Sequence, residues 1–360
     1  MGATMSESIV MTETVTAQIL EQVYQAGALR LALLAHGAKD VVHVQRASAP
    51  DWIVRIYPVS DPAPPHDRVT ALAQLLVFLE QHQYPAERVV RTIDGKLTTR
   101  IDACHVLVTT YLGSPLQVWQ PASSGGTDPD RMQAYTAKRD PQLLYSIGAL
   151  LGRLHALDAT GPTVELEIGS GLQAAAELAW ASDQLVQLQA RVPAHLQEKY
   201  ARLTRRIQQV RRFDACPQTI IHGDGHLGNV VITPASEYVF IDWEAAGRGA
   251  AVTDLGQLLS ANVDPADDTL HRAGIQAIID GYCAHRIVSQ IERDLLSDAL
   301  RFRILVTLAG AFEQRSSLDY QPTQRFWGAT YAEWERHARR ATRIAHIAQE
   351  RLDAQSSADV

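Results

Sequence analysis

Cysteine is scarce in this 360-residue chain, with only Cys104, Cys216 and Cys283 present. They are far apart, odd in number and lack any CxxC spacing, which excludes a disulfide framework and a cysteine zinc site and fits a reducing compartment. Long apolar runs are also missing. Nothing approaches the ~18 residues of a membrane span, and the N-terminus has no basic-then-apolar signal pattern, so a cytoplasmic protein without a membrane partner is expected. The opening Met1-Gly2-Ala3-Thr4-Met5-Ser6 matches only the short, loose pattern of a myristoylated terminus. Basic charge is not in excess, since 33 Lys and Arg stand against 40 Asp and Glu, for a net charge of -7 and a pI near 6.0. A nucleic-acid footprint needs clustered Lys and Arg that dominate one face, so nucleic acid is not an expected partner. The acidic balance mildly favours cationic ligands.

What is present is a soluble globular composition, 46% apolar and 20% charged, at a length that suits two lobes. Ile19, Leu20, Val23 and Tyr24 fall at helical spacing within residues 15–27. Three short alternating or apolar runs follow at 29–37, 41–48 and 51–59, separated by turn formers, and predict an antiparallel meander. Beyond Pro62, Pro64 and Pro65, Leu72, Leu75, Leu76 and Leu79 mark one face of a helix over 66–82. Asp94-Gly95 predicts a type I′ hairpin, and residues 105–113 read as a last apolar strand. Residues 1–113 are therefore expected to be a small α+β lobe. From Ser114 to Pro141 the composition shifts to Pro, Ser, Gly and Asp, as in a surface excursion. Residues 114–360 then read as a mainly helical lobe, with helices at 141–158, about 170–190 and 194–212, and again from Thr253, an N-cap candidate. The basic face of 335–351 reads as a solvated face, and the last eight residues as a loose tail.

The most informative stretch is Ile220–Glu244. Its three apolar runs, TII, VVI and YVFI, read as buried strands, with Asp224 and Asn229 on the loop between the first two and Asp242 at the end of the third. Two acids and an amide at strand ends can hold a hard divalent cation through oxygen, with one carboxylate left for a hydroxyl proton. Phosphoryl transfer asks for that combination: Asp224 to take or orient the proton, Asn229 and Asp242 to hold Mg²⁺ on the nucleotide phosphates. The bland alternative is that all three are turn residues capping strands, but turns alone do not require this spacing. His155, on an apolar helix face, reads as a satisfied structural histidine, and His226 lies inside the loop within reach of solvent or substrate.

HGDGHLGN followed by IDWE and TDLG resembles the catalytic segment of the aminoglycoside phosphotransferase and choline kinase superfamily, whose fold is that of the eukaryotic protein kinases. The resemblance implies a two-lobed α+β protein, with a small antiparallel-sheet nucleotide lobe and a helical lobe bearing the catalytic loop and acceptor pocket. It makes Asp224 the catalytic aspartate, Asn229 and Asp242 metal ligands, Asp254 the brace of the catalytic loop and His222 a loop-shaping residue. Arg55, in IVRIYP, stands where many members carry the lysine that anchors nucleotide phosphates. The Thr109 carbonyl and Tyr111 amide match the adenine-binding hinge. Two parts of the pattern are looser. The position on the first helix where an acid should meet that cation is Leu72, and the nearest acids, Asp67 and Glu80, are about 140° and 80° out of helical phase. HGAKD at 36–40 has one glycine and no P-loop pattern, so backbone amides of that turn would contact phosphate.

The expected reaction moves the γ-phosphate of ATP, with Mg²⁺, to a hydroxyl of a small molecule. Acceptors implied by the resemblance are aminoglycosides and other antibiotics, choline, homoserine and sugars. A nucleotide-binding pseudokinase is the alternative that the missing helix acid suggests. A kinase acting on proteins is disfavoured by Gly223, which stands where regulated kinases carry an arginine, and by the mere ten residues between Asp242 and Thr253.

Overall fold

The computed structural model describes residues 5–26, 29–35, 39–58, 68–101, 104–113, 116, 140–157, 181–184, 186–187, 191–209, 213–261, 272–302 and 324–358. They form two compact units. The described residues of the first come from Met1–Ser114 and Val231–Ile241, and those of the second from Pro115–Pro162, Gly169–Val230 and Asp242–Val360. Most of the expected excursion at 114–141, the turn centre at 36–38 and the first part of the helix at 170–190 lie outside the described residues.

In the first unit, α1 (Met5–Tyr24) precedes β1 (Leu29–Ala35), β2 (Asp40–Arg46) and β3 (Trp52–Pro58), then α2 (Arg68–Gln81), β4 (Thr99–Ile101) and β5 (Cys104–Thr110). The strands make one antiparallel sheet in the order β1-β2-β3-β5-β4. Side chains alternate across a strand. Val42, Val44, Trp52, Val54, Ile56, Val106 and Val108 therefore share one face, where Ile19, Leu20 and Tyr24 of α1 cover them. The same alternation turns Arg55 to the opposite face with its cross-strand partner Leu107 and, beside them, the pair Ile53 and Thr109. Helix α2 packs on β5 and buries Leu72, Leu75, Leu76 and Leu79 as its periodicity predicts.

The Asp94-Gly95 turn differs from expectation. Only Gly95 has a positive φ, +82°, whereas a type I′ turn needs two such residues. The loop closes instead as a type I turn, with Gly95 N–H on the Thr92 carbonyl, and the left-handed glycine then lets Thr92 N–H reach the Lys96 carbonyl.

In the second unit, α3 (Pro141–His155) starts on Asp140, whose carboxylate accepts from the Gln142 amide at 2.9 Å, with Pro141 supplying the preset φ of a first helical residue. Helix α4 (Gln197–Gln208) leads to β6 (Gln218–Ile221), which pairs antiparallel with β9 (Gly247–Ala250). Between them β7 (Val230–Ile232) and β8 (Tyr238–Phe240) make a separate two-stranded sheet, clustered almost wholly with the first unit. Helices α5 (Ala251–Ala261), α6 (Arg272–Cys283), α7 (290–302) and α8 (Gln324–Ala358) follow. Thr253 does not cap α5, which begins two residues earlier; its hydroxyl donates back to the Ala250 carbonyl at 2.7 Å. Helix α8 buries a strip of Ala341, Ile344, Ile347, Ala348 and Leu352, and residues 353–358 of the expected loose tail continue it as helix.

Helices α3 and α6 cross at backbone contact. A Cβ at Gly148 or Gly152 would collide with the carbonyls of Ile278 or Tyr282, and one at Gly281 with that of Tyr145. This closeness sets His155 beside Tyr282, their rings 5.6 Å apart. No helix among the described residues is long and apolar enough to cross a membrane.

Candidate active site

Strand β6 delivers His222, Gly223 and Asp224 to its C-terminal end. Gly223 has φ +78°, and a Cβ there would drive into the Ala245 carbonyl, so the turn at 243–245 lies directly against the loop. Trp243, 2% exposed, packs its ring 4.6 Å from that of His222. Ahead of Trp243, Asp242 adopts the left-handed conformation at φ +65° and makes no side-chain cap of the turn. Non-glycine residues in that conformation cost energy and gather at functional sites.

Asp254 fixes the loop from α5. Its carboxylate accepts the backbone amides of His222 and Gly223, the latter at 2.8 Å, and contacts His155 Nε2 at 3.2 Å. The rest of the chain of bonds assigns the imidazole tautomer. A guanidinium can only donate, so Arg286 gives a hydrogen to the Tyr282 hydroxyl at 2.9 Å. That hydroxyl then gives its own proton to His155 Nδ1 at 2.9 Å, leaving the ring N–H on Nε2 to face Asp254. Arg286 also pairs with the buried Glu292 at 2.7 Å. Burial pushes the His155 pKa down against the opposing pull of Asp254, so the imidazole is neutral. Burial alone would raise the Asp254 carboxyl, but hydrogen bonds from His155 and the His222 amide outweigh it and hold the carboxyl below its ordinary value.

Asp224 has a different setting. Its side chain is 42% exposed, against 1% for Asp254, so one acid is placed to meet a ligand and the other to hold backbone. Asn229 Nδ2 donates both to the Asp224 carbonyl and to Oδ2, each at 2.9 Å. Gln257 Nε2 donates to Oδ1 at 2.6 Å. His226 accepts the Gly228 amide on Nδ1 at 3.0 Å and brings Nε2 to 3.5 Å from Oδ2.

The donor set fits a hard cation. With both Nδ2 hydrogens given to Asp224, Asn229 can offer a ligand only its Oδ1, and Asp242 would add carboxylate oxygen; Mg²⁺ takes one or two such protein oxygens and completes its shell with phosphate and water. Among the described residues no cluster of three His, Cys, Asp or Glu side chains forms a self-sufficient metal site.

In the first unit, Arg55 has an acidic partner after all, but not from α2. Glu87, in the segment that follows the helix, takes Arg55 Nη1 at 2.8 Å and Nη2 at 3.0 Å in a bidentate pair. Thr109 Oγ1 accepts from Nη1 at 2.9 Å and donates to Glu87 Oε2 at 2.6 Å. Arg55 and Glu87 side chains are 8% and 3% exposed. Leu72, at the position expected for an acid, is buried among leucines instead. Sequence reasoning missed Glu87 because it lies outside any helical pattern.

The expected hinge groups also point elsewhere. The Tyr111 amide donates to the Asp51 carbonyl at 2.9 Å, inside the sheet. Antiparallel pairing alternates its hydrogen-bonded positions, which turns the Thr109 backbone to Ile53 likewise. The outward edge belongs to Thr110, whose amide reaches the Arg88 carbonyl while its hydroxyl takes the Arg88 amide, each at 2.9 Å. The Tyr111 ring stacks 4.2 Å from that of His43, which contacts Asp51 at 3.0 Å.

A family model described as "Phosphotransferase enzyme family" (APH) matches residues 30–288, which contain every one of these side chains except Glu292. The chain belongs to this phosphotransferase family. The same fold appears in solved structures at low sequence identity. Amicoumacin kinase hAmiN in complex with AMP-PNP, Ca²⁺ and Ami is 15% identical over 93% of each chain, with a TM-score of 0.62. Spectinomycin phosphotransferase APH(9)-Ia, in complex with ADP and spectinomycin, is 14% identical over 94% of this chain and 98% of its own, at 0.58. A choline/ethanolamine kinase family protein from Mesorhizobium loti is 17% identical over 94% and 99%, at 0.57. No curated protein matches by sequence. The two-lobed, kinase-like α+β fold expected from the motif is thus the fold of the phosphotransferase.

Proposed function

We propose that this phosphotransferase moves the γ-phosphate of ATP to a hydroxyl of a small molecule. The observation that carries the reading is Asp224: a carboxylate half open to solvent, with one amide donor on each oxygen, on a loop braced by a buried acid. An acceptor hydroxyl would pass its proton to Asp224 while its oxygen bonds to the γ-phosphorus; the bond from that phosphorus to the ADP oxygen breaks, and ADP leaves. Asn229 Oδ1 and Asp242 would hold Mg²⁺, which when bound neutralises charge on the transferred phosphoryl group. Arg55, its plane fixed by Glu87, would contact the nucleotide phosphates, a task suited to a rigid guanidinium. The Thr110 carbonyl is the better candidate for an adenine partner than the Tyr111 amide.

The acceptor belongs among hydroxylated antibiotics and small metabolites, including aminoglycosides, choline, homoserine and sugars. Structures of an amicoumacin kinase, a spectinomycin phosphotransferase and a choline/ethanolamine kinase family protein sharing this fold support that range. Three widely spaced cysteines, none in a disulfide among the described residues, support a reducing, cytoplasmic setting. A pseudokinase reading rested on a missing acid beside the anchoring cation, and Glu87 supplies one.

Asp224→Ala tests the assignment. Transfer should fall by about 10³-fold or more, with nucleotide affinity kept within about twofold. A variant that still transfers phosphate at the wild-type rate would remove Asp224 from the chemistry.

A further inference from the structure

We propose that Gln257 is a positioning residue for the transfer reaction, holding the Asp224 carboxylate in the plane that presents it to an alcohol rather than to water. The inference rests on the phosphotransfer reading and adds to it a residue that the HGD and IDWE motifs do not contain.

Gln257 lies three residues after Asp254 on α5, hence on the same helix face. One helix turn therefore carries both the brace of the loop backbone and the contact to the carboxylate. Gln257 is 7% exposed, and its Nε2 is 2.6 Å from Asp224 Oδ1. The amide cannot be turned over, because that would set Oε1 against a carboxylate oxygen. In the orientation it keeps, Oε1 is buried with no hydrogen-bond partner among the described residues. Leaving a buried carbonyl unpaired is unfavourable, and a leucine at this site would avoid it. The glutamine is explained by what its other end holds.

The effect on Asp224 follows from geometry. Asn229 Nδ2 sits on Oδ2 and Gln257 Nε2 on Oδ1. With an amide donor on each oxygen, and His226 Nε2 also 3.5 Å from Oδ2, the carboxylate cannot rotate about its Cβ–Cγ bond without losing an amide contact. Both donors are neutral, so they fix the plane while leaving the group a base. Without Gln257, Oδ1 loses that amide donor, and the plane is no longer fixed from both oxygens.

The test compares Gln257→Leu and Gln257→Glu with wild type, on whichever acceptor of a hydroxylated antibiotic and metabolite panel the wild type phosphorylates with ATP and Mg²⁺. Gln257→Leu should lower kcat by about 10- to 100-fold, with KM for ATP and acceptor changed less than about twofold. It should also raise the ratio of ADP formed to acceptor phosphorylated, because water competes better at a loosened base. Gln257→Glu, which keeps shape but replaces the donor, should be at least as impaired. An unchanged kcat and ADP-to-product ratio in a folded Gln257→Leu protein overturns the inference while leaving phosphotransfer intact. If the wild type transfers phosphate to nothing, the functional reading fails by itself, and crystal structures of wild type and Gln257→Leu decide the remaining claim: a carboxylate plane identical in both refutes it.

Discussion

Two buried acids, one in each unit, solve the same problem with different partners. Glu87 is met by a guanidinium and a threonine hydroxyl, a charged pair at 2.8 and 3.0 Å. Asp254 is met by a neutral imidazole and two backbone amides. A bidentate ion pair fixes the direction of a cation, which suits a group meant to face phosphates. Dipolar donors instead spend the acid's charge on backbone, which suits a loop that must keep its shape. In the first unit the acid orients a side chain; in the second it shapes the main chain on which Asp224 stands.

Removing one member of each arrangement separates the two. Glu87→Ala should be the most destabilising change, by about 3–5 kcal/mol, because it leaves a buried guanidinium without its carboxylate. It is read as a fall in the urea midpoint, and a loss under about 1 kcal/mol would show that Arg55 is not held as described. Gly223→Ala should cost less, about 1–3 kcal/mol from the forced left-handed φ, yet it should reduce transfer more than tenfold because the Ala245 carbonyl stands where the new methyl must go. A transfer rate equal to wild type would uncouple loop shape from chemistry. The smallest effect concerns acid. His155 has a lowered folded pKa, so the unfolded chain binds its proton first and stability falls as pH drops through about 6.5. Asp254, also lowered, adds stability that is lost only further down, below about 3.9. Urea midpoints at pH 7.5, 6.5 and 5.5 should therefore decline, and His155→Gln should flatten the decline above pH 5; an equal slope in that variant would contradict a neutral His155.

The contrast between the two acids also marks what could be read in the sequence. Asp224, Asn229, Asp242 and Asp254 occur within 31 residues, and their order and spacing state their chemistry before any fold is known. Glu87 is 32 residues from Arg55, and only the sheet brings them together. A search along α2 for the acid meets Leu72 because the sequence does not say which element turns toward the cation. The hinge failed on direction. A strand is legible from its apolar run, but which residue's amide faces its neighbour depends on register, and here Tyr111 is used by Asp51. The Asp94-Gly95 turn was located correctly, but its loop length depended on Thr92 and Lys96 pairing outside the dipeptide. His155 was legible as a satisfied histidine, whereas its partner Tyr282, 127 residues away, was not.

The central claim is that this site passes phosphate to an alcohol, and phosphorus NMR of the wild-type protein tests it most directly. With ATP, Mg²⁺ and a panel of hydroxylated antibiotics, choline, homoserine and sugars, at least one mixture should lose the γ-phosphate resonance and gain a phosphomonoester resonance matched by ADP. Tight nucleotide binding with only unchanged ATP, or with ADP and inorganic phosphate, across the whole panel would contradict the account.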